Sequence, residues 1–68
     1  MENLSHRQEQ IICMIADGQS VQEIAFELGL KEETVYMHLR SLRNKLSAKS
    51  TAHAVWLYAS KKLSCSKQ

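Results

Sequence analysis

The stretch Ser20 to Leu46, SVQEIAFELGLKEETVYMHLRSLRNKL, constrains the fold more than any other part of the chain. Ser20 with Glu23 three residues later makes a reciprocal capping box, each side chain taking up a backbone N–H that has no partner inside the helix. Apolar residues then recur at Val21, Ile24, Ala25 and Leu28, the i, i+3, i+4, i+7 spacing of one helical face. Gly29 stands where a left-handed residue ends a helix without a Cβ clash. The stripe resumes at Val35, Leu39, Leu42 and Leu46, facing inward for about three turns. A short helix, a glycine turn and a longer helix form a helix-turn-helix motif.

The flanks supply two more helices. Ser5 with Gln8 is a second capping box, predicting a first helix over 6–17 with Ile11, Ile12 and Ile15 buried, Met14 on the flank and Cys13 turned away as an inert surface thiol. Gly18 stops it, and the short Gly18-Gln19 connection favours close packing on the motif. Helix two is expected over 21–28. Phe26 falls on its far side, to be covered by a neighbouring element or to meet a partner. Helix three is expected over 32–47, with Glu32 and Glu33 at its start and Arg43 and Lys45 at its end matching the helix dipole. Ser50 can cap a fourth helix over 51–62, leaving 64–68 as a frayed tail. In it Ala52, Val55, Ala59 and Leu63 form one apolar stripe and Ala54, Leu57 and Tyr58 a second, with Trp56 between them. Apolar on two sides in so small a domain, this helix implies a partner surface; a helix wedged into a slightly larger core is the alternative.

With 68 residues, no proline and two glycines, the chain is expected to be one all-α domain, 1–68, close to the size limit for folding without staples. Cys13 and Cys65 form no CxxC pair and no ligand-spaced cluster, so neither a metal nor a cofactor is expected, and a reduced cytoplasmic setting fits. No apolar run approaches the roughly 20 residues that cross a bilayer. The net charge of +2 hides an asymmetry: residues 1–30 hold one cation against five carboxylates, net −4, and residues 31–68 eight against two, net +6. A basic half that begins at the second helix of the motif is the footprint of a phosphate-binding face.

At 100° per residue, the face of helix three opposite its core stripe is centred on Met37, Ser41 and Asn44. Glu33 and Arg40 border it, Thr34 and His38 occupy one edge, and Tyr36 and Arg43 the other. A helix lying in the major groove of DNA usually sets its N-terminal half nearest the bases, which makes Tyr36, Met37 and Arg40 the candidates for base contact. Arg40 combines fixed charge with groove-facing phase, and Met37 suits a thymine methyl or simple exposure. Arg43, Lys45 and Lys49 are candidates for phosphates, or are ordinary surface charges.

The chain resembles the LuxR/FixJ-type (GerE-like) DNA-binding domain of bacterial transcription regulators. The resemblance runs from Leu4 to about Leu63 and is carried by LSHRQ at 4–8, near the family's LTxRE; by AxGxSxxEIAxxL at 16–28; by TVxxH at 34–38; and by KL at 45–46 followed by Ala54-Val55. It implies four packed helices, the third reading the major groove and the fourth dimerising. By the same resemblance Thr34 and His38 contact the DNA backbone, and the dimer interface falls on Ala54, Leu57, Tyr58 and Lys61. Tyr36 stands where the family often has a basic residue, Lys31 where it has Ser, and Gln22 where it has Lys. Tyr58 replaces a usual small Ala, and Lys62 a usual Gly.

The expected function is a sequence-specific, non-enzymatic transcription regulator that binds double-stranded DNA as a homodimer on a two-fold site. No nucleophile, base and orienter form a recognisable constellation. A different class is an interaction module that pairs with a larger related regulator and modulates it. A third reading is a sigma-factor region-four domain, whose partner would be RNA polymerase; His38 and the separate fourth helix weigh against it.

Overall fold

A computed structural model describes residues 4–62, with the side chains of Lys61 and Lys62 outside that description. It is an all-α bundle of α1 (His6–Ala16), α2 (Val21–Leu28), α3 (Glu32–Leu46) and α4 (Thr51–Lys62). The helices start where expected, and α1 and α3 each end one residue earlier than the sequence predicts. The parts of the prediction that fall on Leu63, Cys65, the tail 64–68 and the side chain of Lys61 lie outside the described residues.

Local chemistry accounts for the helix ends. Both capping boxes form: Ser5 Oγ accepts from the Gln8 N–H at 3.1 Å while Gln8 Oε1 accepts from the Ser5 N–H at 3.0 Å. Ser20 and Glu23 do the same at 3.1 and 2.9 Å. At α4, Ser50 Oγ accepts from the His53 N–H at 3.1 Å, and His53 Nδ1 accepts from the Lys49 N–H at 3.0 Å. The first three helices close alike, each with a left-handed residue after its last turn and a pair of backbone bonds reaching back. Gly18 (φ 96) and Gly29 (φ 69) fill two of these positions, and Ser47 (φ 56) the third. There the Ala48 N–H donates to the Arg43 carbonyl at 2.8 Å and the Ser47 N–H to that of Asn44 at 3.2 Å. A residue with a Cβ holds this conformation at a cost of about 1 kcal/mol. Lys31, at the N-cap of α3, has cap geometry (φ −82, ψ 152) but makes no side-chain cap.

Helix α3 packs against the other three, and among the described residues α2 and α4 do not meet. Its Val35, Leu39 and Leu42 are buried together with Ile11 and Ile12 of α1, Ile24 and Ala25 of α2, and Ala54 and Tyr58 of α4. Leu46, Ile15, Val21 and Leu28 pack on this cluster from its edge.

Three expectations change. Cys13 is not turned away: it is half-buried against the core, with Sγ 4.0 Å from the Tyr58 hydroxyl, because α4 lies over that side of α1. Ala54 and Tyr58, expected on a partner face, are buried in the chain's own core at 0% and 8% exposure. Of the two apolar stripes of α4, the chain covers the one centred on them, with Val55 packed at its border, so the wedged-helix alternative describes this part of the fold. Among the described residues no neighbouring element covers Phe26, which stands 88% exposed.

Two substitutions separate these end effects. Lys31→Ser is expected to raise stability by about 1 kcal/mol by adding the missing cap of α3. Ser47→Gly is expected to add up to about 1 kcal/mol by relieving the left-handed Cβ. Urea denaturation followed by circular dichroism reads both.

Candidate nucleic-acid interface

Burial of Val35, Leu39 and Leu42 sets the roll of α3 and so decides which side chains reach solvent. Glu32, Glu33, Tyr36, Met37, Arg40 and Asn44 are exposed, whereas Thr34, His38, Ser41, Arg43 and Lys45 are half-buried. The exposed arc is therefore centred nearer Arg40 than the expected Met37, Ser41 and Asn44. The cause is α1: buried Gln8 donates from Nε2 to Ser41 Oγ at 2.9 Å, and Lys45 Nζ donates to Gln8 Oε1 at 3.0 Å, which covers that shoulder of α3. Sequence periodicity sees only the stripe of α3 itself, and a polar neighbour on another helix leaves no mark in it.

Tyr36, Met37 and Arg40 come together on this arc, with Arg40 one turn beyond the other two. Tyr36 is 58% and Met37 70% exposed, high values for large apolar side chains. The phosphate candidates take up the borders. By helical phase, Arg43 lies on one side of the arc and Lys45 on the other, with Thr34 and His38 on the Lys45 side. Arg43 Nη1 also donates to Thr51 Oγ1 at 3.5 Å, a long bond that points its guanidinium toward the start of α4. Lys49, exposed in the turn between α3 and α4, extends the cationic side beyond the helix.

Two features outside this arc are new. Gln8, which the sequence places in the capping box of α1 and at the end of the LSHRQ motif, reaches across to α3. Phe26 stands between two open depressions, one lined by Gln19, Gln22, Glu23 and Glu27 and the other by residues that include Leu30, Lys31, Glu32 and Glu33. This face is acidic, in contrast to the basic borders of α3. Among the described residues no group of three His, Cys, Asp or Glu side chains gathers as a metal site would require. No helix among them is long and apolar enough to cross a membrane.

The profile of the family described as "Bacterial regulatory proteins, luxR family" matches residues 2–58. The chain belongs to this family. Its relatives include a nitrate/nitrite response regulator protein homolog of Haemophilus influenzae, 36% identical over 58 residues that make up 85% of this chain and 28% of that protein. The transcriptional regulatory protein UhpA of Escherichia coli is 44% identical over 43 residues, 63% of this chain and 22% of UhpA. The quorum-sensing regulator RhlR of Pseudomonas aeruginosa is 42% identical over 45 residues, 66% of this chain and 19% of RhlR. The chain thus spans about a quarter of the length of these relatives or less. Membership places it among regulatory proteins and not among enzymes.

The division of α3 into a core stripe and an exposed arc has a direct test. Tyr36→Ala and Met37→Ala are expected to change folding stability by no more than about 0.5 kcal/mol, as exposed positions do. Leu39→Ala removes core packing and is expected to cost about 2–5 kcal/mol, a large share of what so short a chain can hold. Thermal denaturation of the three variants distinguishes the two classes.

Proposed function

We propose that the chain is the DNA-binding element of a transcription regulator, with α3 lying in the major groove. The observation that carries this reading is the exposed arc centred near Arg40, set between cationic borders on a helix-turn-helix of the luxR family. Arg40 reads a base edge, for which guanine N7 and O6 offer the matching pair of acceptors. Tyr36 and Met37 add a hydroxyl and apolar contacts of the kind a thymine methyl accepts. Thr34, His38, Arg43, Lys45 and Lys49 serve the phosphates and set the register of the helix.

Two copies pair through α4 on a two-fold site, with half-sites about one helical turn apart. Since Ala54 and Tyr58 face inward, the pairing surface is the outward side of α4, where Ala52, Trp56 and Ser60 are exposed one turn apart and half-buried Leu57 borders them. Trp56, 64% exposed at the middle of that side, is its apolar anchor.

A second reading, a module that pairs with a larger related regulator and modulates it, draws on the exposed Phe26 in its acidic surroundings and on Tyr36 at a position often basic in the family. Tight association with such a regulator, together with no affinity for any duplex, would favour it.

Selection of bound duplexes from a random pool, followed by titration, tests the leading reading. Affinity for the selected duplex is expected to fall steeply with salt. Arg40→Ala is expected to lower affinity for it by roughly 5- to 150-fold, the equivalent of about 1–3 kcal/mol, with helicity unchanged. Equal affinity in parent and variant would remove Arg40 from the readout. For pairing, Trp56→Glu is expected to preserve the circular dichroism spectrum while abolishing the second bound copy on a two-fold duplex, as counted by analytical ultracentrifugation.

A further inference from the structure

Gln8 is the one buried polar residue among those described, 5% exposed. Its side-chain amide is engaged at both ends. Oε1 accepts from the Ser5 N–H and from the Lys45 ammonium, each at 3.0 Å, and Nε2 donates to Ser41 Oγ at 2.9 Å. The capping box of α1 needs only the first of these bonds. The other two cross to α3 and grip it at positions four residues apart, one turn of the helix, on the shoulder beside the exposed arc.

Both the placement and the neutrality of this group have consequences. Buried polar bonds are directional, so an amide held from α1 admits a narrower range of α3 rolls than the apolar contacts of Val35, Leu39 and Leu42 do alone. The partner of Lys45 is an amide oxygen and not a carboxylate, so the bond orients the ammonium without cancelling its charge. A glutamate here could accept from the same Ser5 N–H and the same ammonium, and could take a hydrogen from the Ser41 hydroxyl. The geometry would then survive while the positive charge beside the arc would be neutralised.

We propose that Gln8 is a positioning residue for the reading helix, fixing the roll of α3 on α1 while leaving the Lys45 charge free to act on DNA phosphates. The charge half rests on the DNA-binding reading above; the positioning half does not.

Gln8→Leu and Gln8→Glu separate the two halves. Backbone residual dipolar couplings, measured without DNA, report the orientation of α3 relative to α1. Gln8→Leu is expected to alter these couplings and to reduce discrimination between a selected duplex and a random-sequence duplex by roughly fivefold or more, the scale of one lost hydrogen bond. Gln8→Glu is expected to keep the parental couplings. Its plot of log affinity against log salt on the random-sequence duplex is expected to be shallower by about 0.9, one phosphate contact's worth. Parental couplings and parental discrimination in Gln8→Leu would overturn the positioning role. A parental salt slope in Gln8→Glu would overturn the charge role. Should Gln8→Leu fail to fold, Ser41→Ala combined with Lys45→Met removes the α3 ends of the same bonds and is judged by the same couplings. A parent chain that binds neither duplex refutes the DNA reading and with it the charge role, while the couplings still decide the positioning role.

Discussion

Burial of one stripe of α3 is the constraint on which the rest of this structure depends. Val35, Leu39 and Leu42 share one buried cluster with residues of α1, α2 and α4, and α3 packs against each of those helices, so the placement of the stripe bears on where each of them lies. The same burial turns the opposite side of α3 to solvent. Fold and candidate interface are therefore two sides of a single packing decision, and a change that loosened the stripe would blur the arc. Hydrophobic contact holds the helix in place, but it is less directional than a hydrogen bond. The polar contacts from α1 supply the directionality that apolar packing lacks.

Much of this was legible in the sequence because the signals are local. Capping boxes at Ser5 and Ser20 and the glycines at 18 and 29 act within a few residues, so the starts of α1 and α2 and two of the three left-handed ends could be read without knowing the fold. The third such end carries no glycine to mark it, since Ser47 does at some strain what glycine does freely. The side of α3 that faces inward followed from its spacing, and Tyr36, Met37 and Arg40 indeed share one exposed face.

What was not legible depended on neighbours. On α4, two apolar stripes compete, and periodicity cannot say which one the chain itself will cover; Ala54 and Tyr58 went inward because α1 and α3 lie on that side. Cys13 faces the core for the related reason that α4 reaches over the flank of α1. Gln8 had a sufficient local explanation as a capping residue, which concealed its second task. Phe26 carries the opposite lesson, for an apolar residue off the core stripe need not find cover among the described residues of its own chain.

The two-sided character of α4 has a thermodynamic meaning. Its inner side closes the folded unit through Ala54 and Tyr58, while Trp56 looks outward from the same helix turns. Anything that settles on the outer side therefore binds only the folded chain, since the surface it recognises exists only once the inner side is seated. By mass action such a partner draws the folding equilibrium toward the native state in proportion to its concentration. For a chain this small, association and folding would then be linked equilibria, with the supply of partner setting how much of the domain is present in usable form.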